Sequence, residues 1–270
     1  MAGCPGDDSS GDGTTEAATG TIDPGTTTDM TSVDSSGSET AADTGAVPTD
    51  CQEEREVPPS PFDCTGVDGV LEGSVIIDDT PESDDPSMLE GISVVTGSIQ
   101  LNTTDLTNLD FMGCVTEVGG EINIFDNDML TNVDGLHNVT SIGTQFVFSN
   151  NDGLVDFNSL PNIQQMATTL AFRGNGALEH ISGFHSLVGI TANVTDPDGN
   201  PAVTGSINIQ QNPVLLDVDG LGGLRVVGGI FAINNNPMLC VSSPICVGEG
   251  ITVPAIPPDE WSIANNDDSC

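Results

Sequence analysis

The run GEINIFDNDMLTNVDGLHNVTSI, residues 120–142, recurs with a period of 24 residues. Laid over TQFVFSNNDGLVDFNSLPNIQQM (144–166) and TTLAFRGNGALEHISGFHSLVGI (168–190), its apolar positions coincide. Ile122 falls over Phe146 and Leu170, Ile124 over Phe148 and Phe172, and Leu130 over Leu154 and Leu178. Asn127, Asn151 and Asn175 line up between them. Downstream, GSINIQQNPVLLDVDGLGGLRVV (205–227) and GGIFAINNNPML (228–239) carry the column on to Asn212 and Asn235, with Ile230 and Ala232 as the inward pair. Upstream, GSIQLNTTDLTNLDFMGCVTEV (97–118) fits with one residue deleted, and GSVIID from Gly73 opens a degenerate first coil. A repeat of this size marks a solenoid, in which one coil cannot bury its apolar face until neighbours stack on it. We count seven coils over about 73–239, within a domain of 59–270 that a cysteine-containing cap (240–270) closes.

Within a coil, the alternating pair Ile122/Ile124 predicts a short strand with one face inward. Leu130, Val133, Leu136, Val139 and Ile142 then come every third position, with Asn132 and Gly135 interleaved. A helix face needs the i, i+3, i+4, i+7 rhythm, so this spacing predicts short sides that each turn one side chain inward. The Asn column is expected to turn the chain after each strand, its amide bonding the backbone of the next coil. The insertion TANVTDPDGNPAVT (191–204) should leave the stack as a loop, turning at 196–200. The expected fold is an all-β solenoid of parallel strands.

The G-x-[IL]-x-[IL]-x-x-N-x-x-L-x-x-[VIL] runs, with CVTEVGGEINI at 114–124, resemble the receptor L domain of insulin- and epidermal-growth-factor-type receptors. They also resemble related repeats of fungal cell-surface proteins and bacterial surface lipoproteins. The resemblance covers roughly 64–240 and implies a right-handed parallel β-helix. The hormone-contacting residues of the receptors have no counterparts here. Leucine-rich repeats share the L-x-x-L-x-L-x-x-N phrase, and their horseshoe is the rival architecture; no helical return segment is evident in this sequence.

Residues 1–58 differ in kind. Ser, Thr, Gly, Asp and Ala dominate, and thirteen acids face one cation, Arg55. Such a composition cannot bury enough apolar surface to offset chain entropy, which predicts a disordered acidic tether. Met1-Ala2-Gly3-Cys4 resembles the end of a bacterial lipobox, which implies lipidation of Cys4 and requires a charged start and an apolar stretch upstream of Met1. The expected location is extracytoplasmic, as an outer-membrane or cell-surface lipoprotein or else secreted. No run approaches the length needed to span a membrane, so any membrane attachment is through Cys4.

The 270-residue chain has 41 acids, three arginines and no lysine, a formal net charge of −38. The repeat region holds 28 of those acids against Arg173 and Arg225. Nucleic acid is excluded as a partner, because phosphate binding needs a cationic footprint. With Cys4 set aside, six cysteines suit structural disulfides in an oxidising compartment. Cys51 and Cys64 are expected to close a loop over the first coil, and Cys240, Cys246 and Cys270 to cluster at the last edge. Cys114 has no obvious mate, since two layers from Cys64 is roughly 9.6 Å at strand spacing, beyond disulfide reach. No C-x-x-C pair or Cys/His cluster suggests zinc, and no metal or cofactor is expected.

Catalytic motifs are absent from the sequence: there is no H-E-x-x-H, G-x-S-x-G or P-loop. His137 and His185 follow core positions and read as exposed. D-P-D-G at 196–199 lacks the spaced oxygens of a calcium loop and reads as a turn. Asp126, Asp128 and Asp152 fall in turns rather than in one strand column. The sequence therefore points to a non-enzymatic surface or secreted protein that recognises a protein or glycan through the sheet face. Gln100, Asn123, Phe125, Val147, Arg173, Asn208 and Phe231 are its outward positions. A polysaccharide-processing β-helix enzyme and a structural envelope component are the alternatives.

Overall fold

In the computed structural model the described residues are 56–195, 201–252 and 258–270. The expected tether lies almost wholly outside them, as do Cys4, Cys51 and the D-P-D-G turn. The chain alternates short strands in pairs: β1 (Gly69–Leu71) and β2 (Val75–Asp78), β3 (Ile92–Val95) and β4 (Ile99–Asn102), β5 (Glu117–Val118) and β6 (Ile122–Phe125). Next come β7 (Ser141–Ile142) and β8 (Gln145–Ser149), then β9 (Gln165–Met166) and β10 (Thr169–Arg173), then β11 (Gly189–Ile190). After it follow β12 (Ala192–Thr195), β13 (Pro201–Thr204), β14 (Ser206–Gln210), β15 (Val226–Val227) and β16 (Phe231–Asn234), and helix α1 (Ser242–Gly250).

β2, β4, β6, β8, β10, β14 and β16 form one seven-stranded parallel sheet, one strand per coil. Six full turns join these seven layers, and the chain is a parallel β-solenoid with little helix, as the 24-residue period predicts. The helical return side of a horseshoe is not present among the described residues. The insertion forms an antiparallel hairpin of β12 and β13, so the excursion expected as a loop is held by its own ladder. The remaining short strands make a second wall in two pieces, β1-β3-β5-β7 and β9-β11-β15, with a break between the third and fourth coils.

Inward residues of all layers merge into one apolar core. Phe146, Phe148, Phe157, Phe172 and Phe184 fill its middle, with ring centroids from 4.9 to 6.3 Å apart. Four coils turn their third side through a 3-10 turn, at Pro86–Leu89, Asp110–Met112, Asp134–Leu136 and Asp219–Leu221. Coils four and five pass the same point without one, and Leu160 and Phe184 take positive φ there.

The asparagine column is a ladder through the core. Asn127 N–H donates to Asn151 Oδ1, Asn151 N–H to Asn175 Oδ1, and Asn175 N–H to Asn212 Oδ1, at 3.0–3.1 Å. Each Nδ2 donates back to a carbonyl of the preceding strand, as Asn151 does to Ile124 O at 3.0 Å. The residue before each rung has left-handed backbone: Thr103, Asp126, Asn150, Gly174, Gln211, Asn235 and Asn265 all have φ between 54° and 66°. That kink lets the rung amide face the stack.

The final coil corrects the sequence register by one residue. β16 pairs Phe231 with Ile207 and Ala232 with Asn208, so Phe231 is 1% exposed and Ile230 is 65% exposed. A one-residue slip exchanges the two faces of a strand. Here it puts Phe231 and Ile233 inward in place of Ile230 and Ala232, burying more apolar surface, with the Phe231 ring tilted against Trp261, centroids 5.6 Å apart. Asn236, not Asn235, therefore accepts from Asn212 N–H at 3.0 Å, and Asn266 adds a further rung at 3.1 Å.

The cysteine pairing is a second correction. Cys64 is bonded to Cys114, with Cα atoms 5.4 Å apart. Residues 58–66 do not occupy a layer of the stack. They cross it, with Phe62 filling the space beside Gly113 and Ser60 accepting from Asn138 Nδ2 at 2.9 Å. A segment that crosses layers brings Cys64 beside Cys114 whatever the number of layers between their coils. Cys240 pairs with Cys270, and Cys246, buried in α1, is also disulfide-bonded. These bridges are compatible with an extracytoplasmic setting.

Candidate functional site

The outer face of the seven-stranded sheet spans roughly 29 Å between its end strands at a spacing of about 4.8 Å. The parallel register aligns its side chains in rows. Gln100, Asn123, Val147, Ala171, Asn208 and Ala232 form one row, and Asn102, Phe125, Ser149, Arg173, Gln210 and Asn234 form the next. Six of the seven sequence candidates thus lie on this face, and Phe231 does not. Phe125 is 40% exposed and Arg173 is exposed, two strands apart across Ser149. Gln100, Asn123, Val147 and Asn208 are half-buried.

Glu121 organises the rim beside them, accepting from Gln100 Nε2 at 2.9 Å and from Gln145 Nε2 at 2.6 Å. Asn123 and Asn208 keep shielded Oδ1 atoms without hydrogen-bond partners. Ala171 is fully buried although its row faces outward. Ile76, at the β2 end of the first row, is exposed, and the open part in the middle of the face is the second row, where Phe125 and Arg173 stand.

Both edges of the sheet are occupied by the chain itself. On β2, Ile76 N–H donates to Asp84 Oδ2 and Asp84 N–H to Ile76 O, both at 2.8 Å, while Asp78 N–H donates to Ser83 Oγ at 2.9 Å. On β16, Ile233 N–H donates to Ser262 O at 2.9 Å and Asn235 N–H to Ala264 O at 2.9 Å. Covered edges cannot recruit another strand.

The histidines divide differently from the sequence expectation. His137 is buried and His185 half-buried, so neither is an exposed surface residue. His180, which no motif singled out, stacks between Asp156 and Asp217 of the neighbouring coils. Its Nδ1 lies 2.5 Å from Asp217 Oδ2, and this hydrogen bond holds the imidazole pKa above its ordinary value. Ser182 donates to Asp156 Oδ1 at 2.7 Å, an engagement with the carboxylate rather than with the imidazole. Asp126, Asp128 and Asp152 sit at the corner after the strands, where Asp152 Oδ1 accepts from Gly176 N–H at 2.6 Å. Among the described residues no group of three or more His, Cys, Asp or Glu could hold a metal ion. No described helix is long and apolar enough to cross a membrane.

No protein-family model matches the chain, and no curated protein or solved structure matches it. The rungs at Asn236 and Asn266 and the His180 stack are what sequence reasoning missed. W-S-I-A-N-N (261–266) repeats the phrase F-A-I-N-N-N (231–236), a signal that would have found the added rung.

Proposed function

We propose that this chain is a cell-surface or secreted recognition module of receptor-L-domain-like type, held by a lipid at Cys4 and binding a protein or glycan through its sheet face. The observation that carries this reading is the contrast between the sheet's edges and its face. Ser83 and Asp84 close one edge and Ser262 and Ala264 the other, while Phe125 and Arg173 stay open in one row. Truncating a large side chain at the centre of a contact costs up to a few kcal/mol of binding. The domain's acidity favours neutral or cationic partners.

The test is a binding screen over glycans and extracellular proteins, repeated with Phe125→Ala and Arg173→Ala. Loss of the hit in these variants, with unchanged melting temperature, is the expected result. Phe231→Ala serves as the contrast, because removing a buried phenylalanine costs about 3–5 kcal/mol of stability. Hits that survive both face substitutions sink the sheet-face reading.

A further inference from the structure

The inter-coil hydrogen bonding fails at one level only. The second and third coils are laced on every side: Thr131 and Asn132 N–H donate to Thr107 O, Thr140 and Ser141 N–H to Thr116 O, and Gly143 N–H to Val118 O. The fourth and fifth are laced as densely, from Glu179 N–H to Val155 O through Thr191 N–H to Met166 O. Between the third and fourth, one hydrogen bond among the described residues crosses from 129–143 to 153–167: Asn162 Nδ2 donates to His137 O at 2.9 Å. β7 and β9 fail to pair at the same level.

One column differs at this level. Gly135, Gly183 and Gly220 of the third, fifth and sixth coils occupy equivalent positions, where a Cβ would come within 1.8–2.2 Å of a carbonyl in the preceding coil, while the second coil carries Phe111. The fourth coil carries Ser159 there, 1% exposed, with its hydroxyl unpartnered. A Cβ at that place props the coil off its neighbour, and Phe157 in the column of Val133 widens the layer further. The result is an open cavity of about 370 Å³ bounded by Thr131–Asp134 below and Gly153–Asn158 above. Its size is within the range of small-molecule sites, about 300–1,000 Å³.

The lining selects the occupant. Asp134 and Asp156 supply carboxylates, Asn132 and Asn158 amides, and Val155, 49% exposed, an apolar wall. The carbonyls of Thr131 and Asn132 on one wall and the N–H groups of Val155, Asp156 and Asn158 on the other have no partner among the described residues and can bond a ligand. Asn132 Nδ2 donates to Asp134 Oδ2 at 2.8 Å, so donors are mixed with acceptors, which disfavours a bare cation. An anion is repelled by a chain of net charge −38. Hydroxyls on a ring with an apolar face satisfy all of these conditions. The geometry points to this seam as a binding site for the end of a neutral saccharide. It rests on the reading of the domain as a recognition module, though not on the sheet face.

The experiment uses the full chain, with maltose, cellobiose and chitobiose observed by saturation-transfer NMR and titration calorimetry, and calcium chloride titrated separately. At least one disaccharide binds; Asp134→Asn and Asn158→Ala weaken it roughly tenfold or more, and Met238→Ala, an exposed change in the last coil away from both the cavity and the sheet face, leaves it unchanged. Ser159→Gly lets the coils close, lowering affinity while raising the melting temperature. Three results overturn the proposal: no disaccharide binds, Asp134→Asn and Asn158→Ala both bind as the parent does, or calcium alone gives the heat that Asp134→Asn removes. Conversion of the sugar to product, lost in Asp134→Asn or Asp156→Asn, keeps the site and overturns the recognition-module reading instead.

Discussion

Replacing Asn151 by alanine removes one rung from the middle of the ladder. The side chain is fully buried; its Oδ1 accepts from Asn127 N–H at 3.0 Å and from Asn127 Nδ2 at 3.1 Å. Its Nδ2 donates to Ile124 O at 3.0 Å and to Ser149 O at 3.1 Å. Alanine strands the Asn127 backbone N–H in the core, at a cost of about 1–3 kcal/mol. Each carbonyl loses a donor, about 0.5–1.5 kcal/mol apiece. Partial relaxation and entry of a water offset some of this, leaving about 2–4 kcal/mol. For a domain of this size, that lowers the melting temperature by roughly 4–16 °C. Asn132→Ala is the matched control: Asn132 is exposed and bonds only Asp134 locally, so its loss costs about 1 kcal/mol or less. Thermal melts followed by circular dichroism compare the two. Equal, small losses refute the argument that the column bears on stability through buried backbone groups.

Gly174→Ala should destabilise by about 1–2 kcal/mol, since φ is +66° and the new Cβ meets Asn150 Oδ1 at 2.5 Å; chemical denaturation measures it. The hydrogen bond that His180 donates to Asp217 raises its pKa, so the stability this pair contributes is complete below the unfolded histidine value, about 6.5, and is lost as pH rises through the folded one. The melting temperature of His180→Gln should accordingly differ from that of the parent at pH 5.5 and approach it at alkaline pH; a pH-independent difference refutes the assignment. Peptide mapping without reductant should recover the Cys64–Cys114 and Cys240–Cys270 bridges. Opening the first, whose ends are 50 positions apart in sequence, should cost up to about 4 kcal/mol by the loop-entropy argument.

The solenoid was legible in the sequence because its signals repeat. Ile122, Phe146 and Leu170 recur with Asn127, Asn151 and Asn175 at one period, and a parallel stack turns a sequence period directly into a column in space. Wherever a signal occurs once, or equally well at two neighbouring residues, the sequence is silent. Gly228-Gly229-Ile230-Phe231 and Asn234-Asn235-Asn236 permit two registers, and only the packing of Phe231 on Trp261, thirty residues away, chooses between them. The Cys64–Cys114 bridge depends on a segment that crosses layers instead of forming one, a path no periodicity encodes. Ser159 stands where Gly135, Gly183 and Gly220 stand in other coils, as Phe111 does in the second, and the sequence does not tell what a Cβ does there. A Cβ matters there only because a neighbouring coil packs against that column, and that closeness exists only in the folded stack.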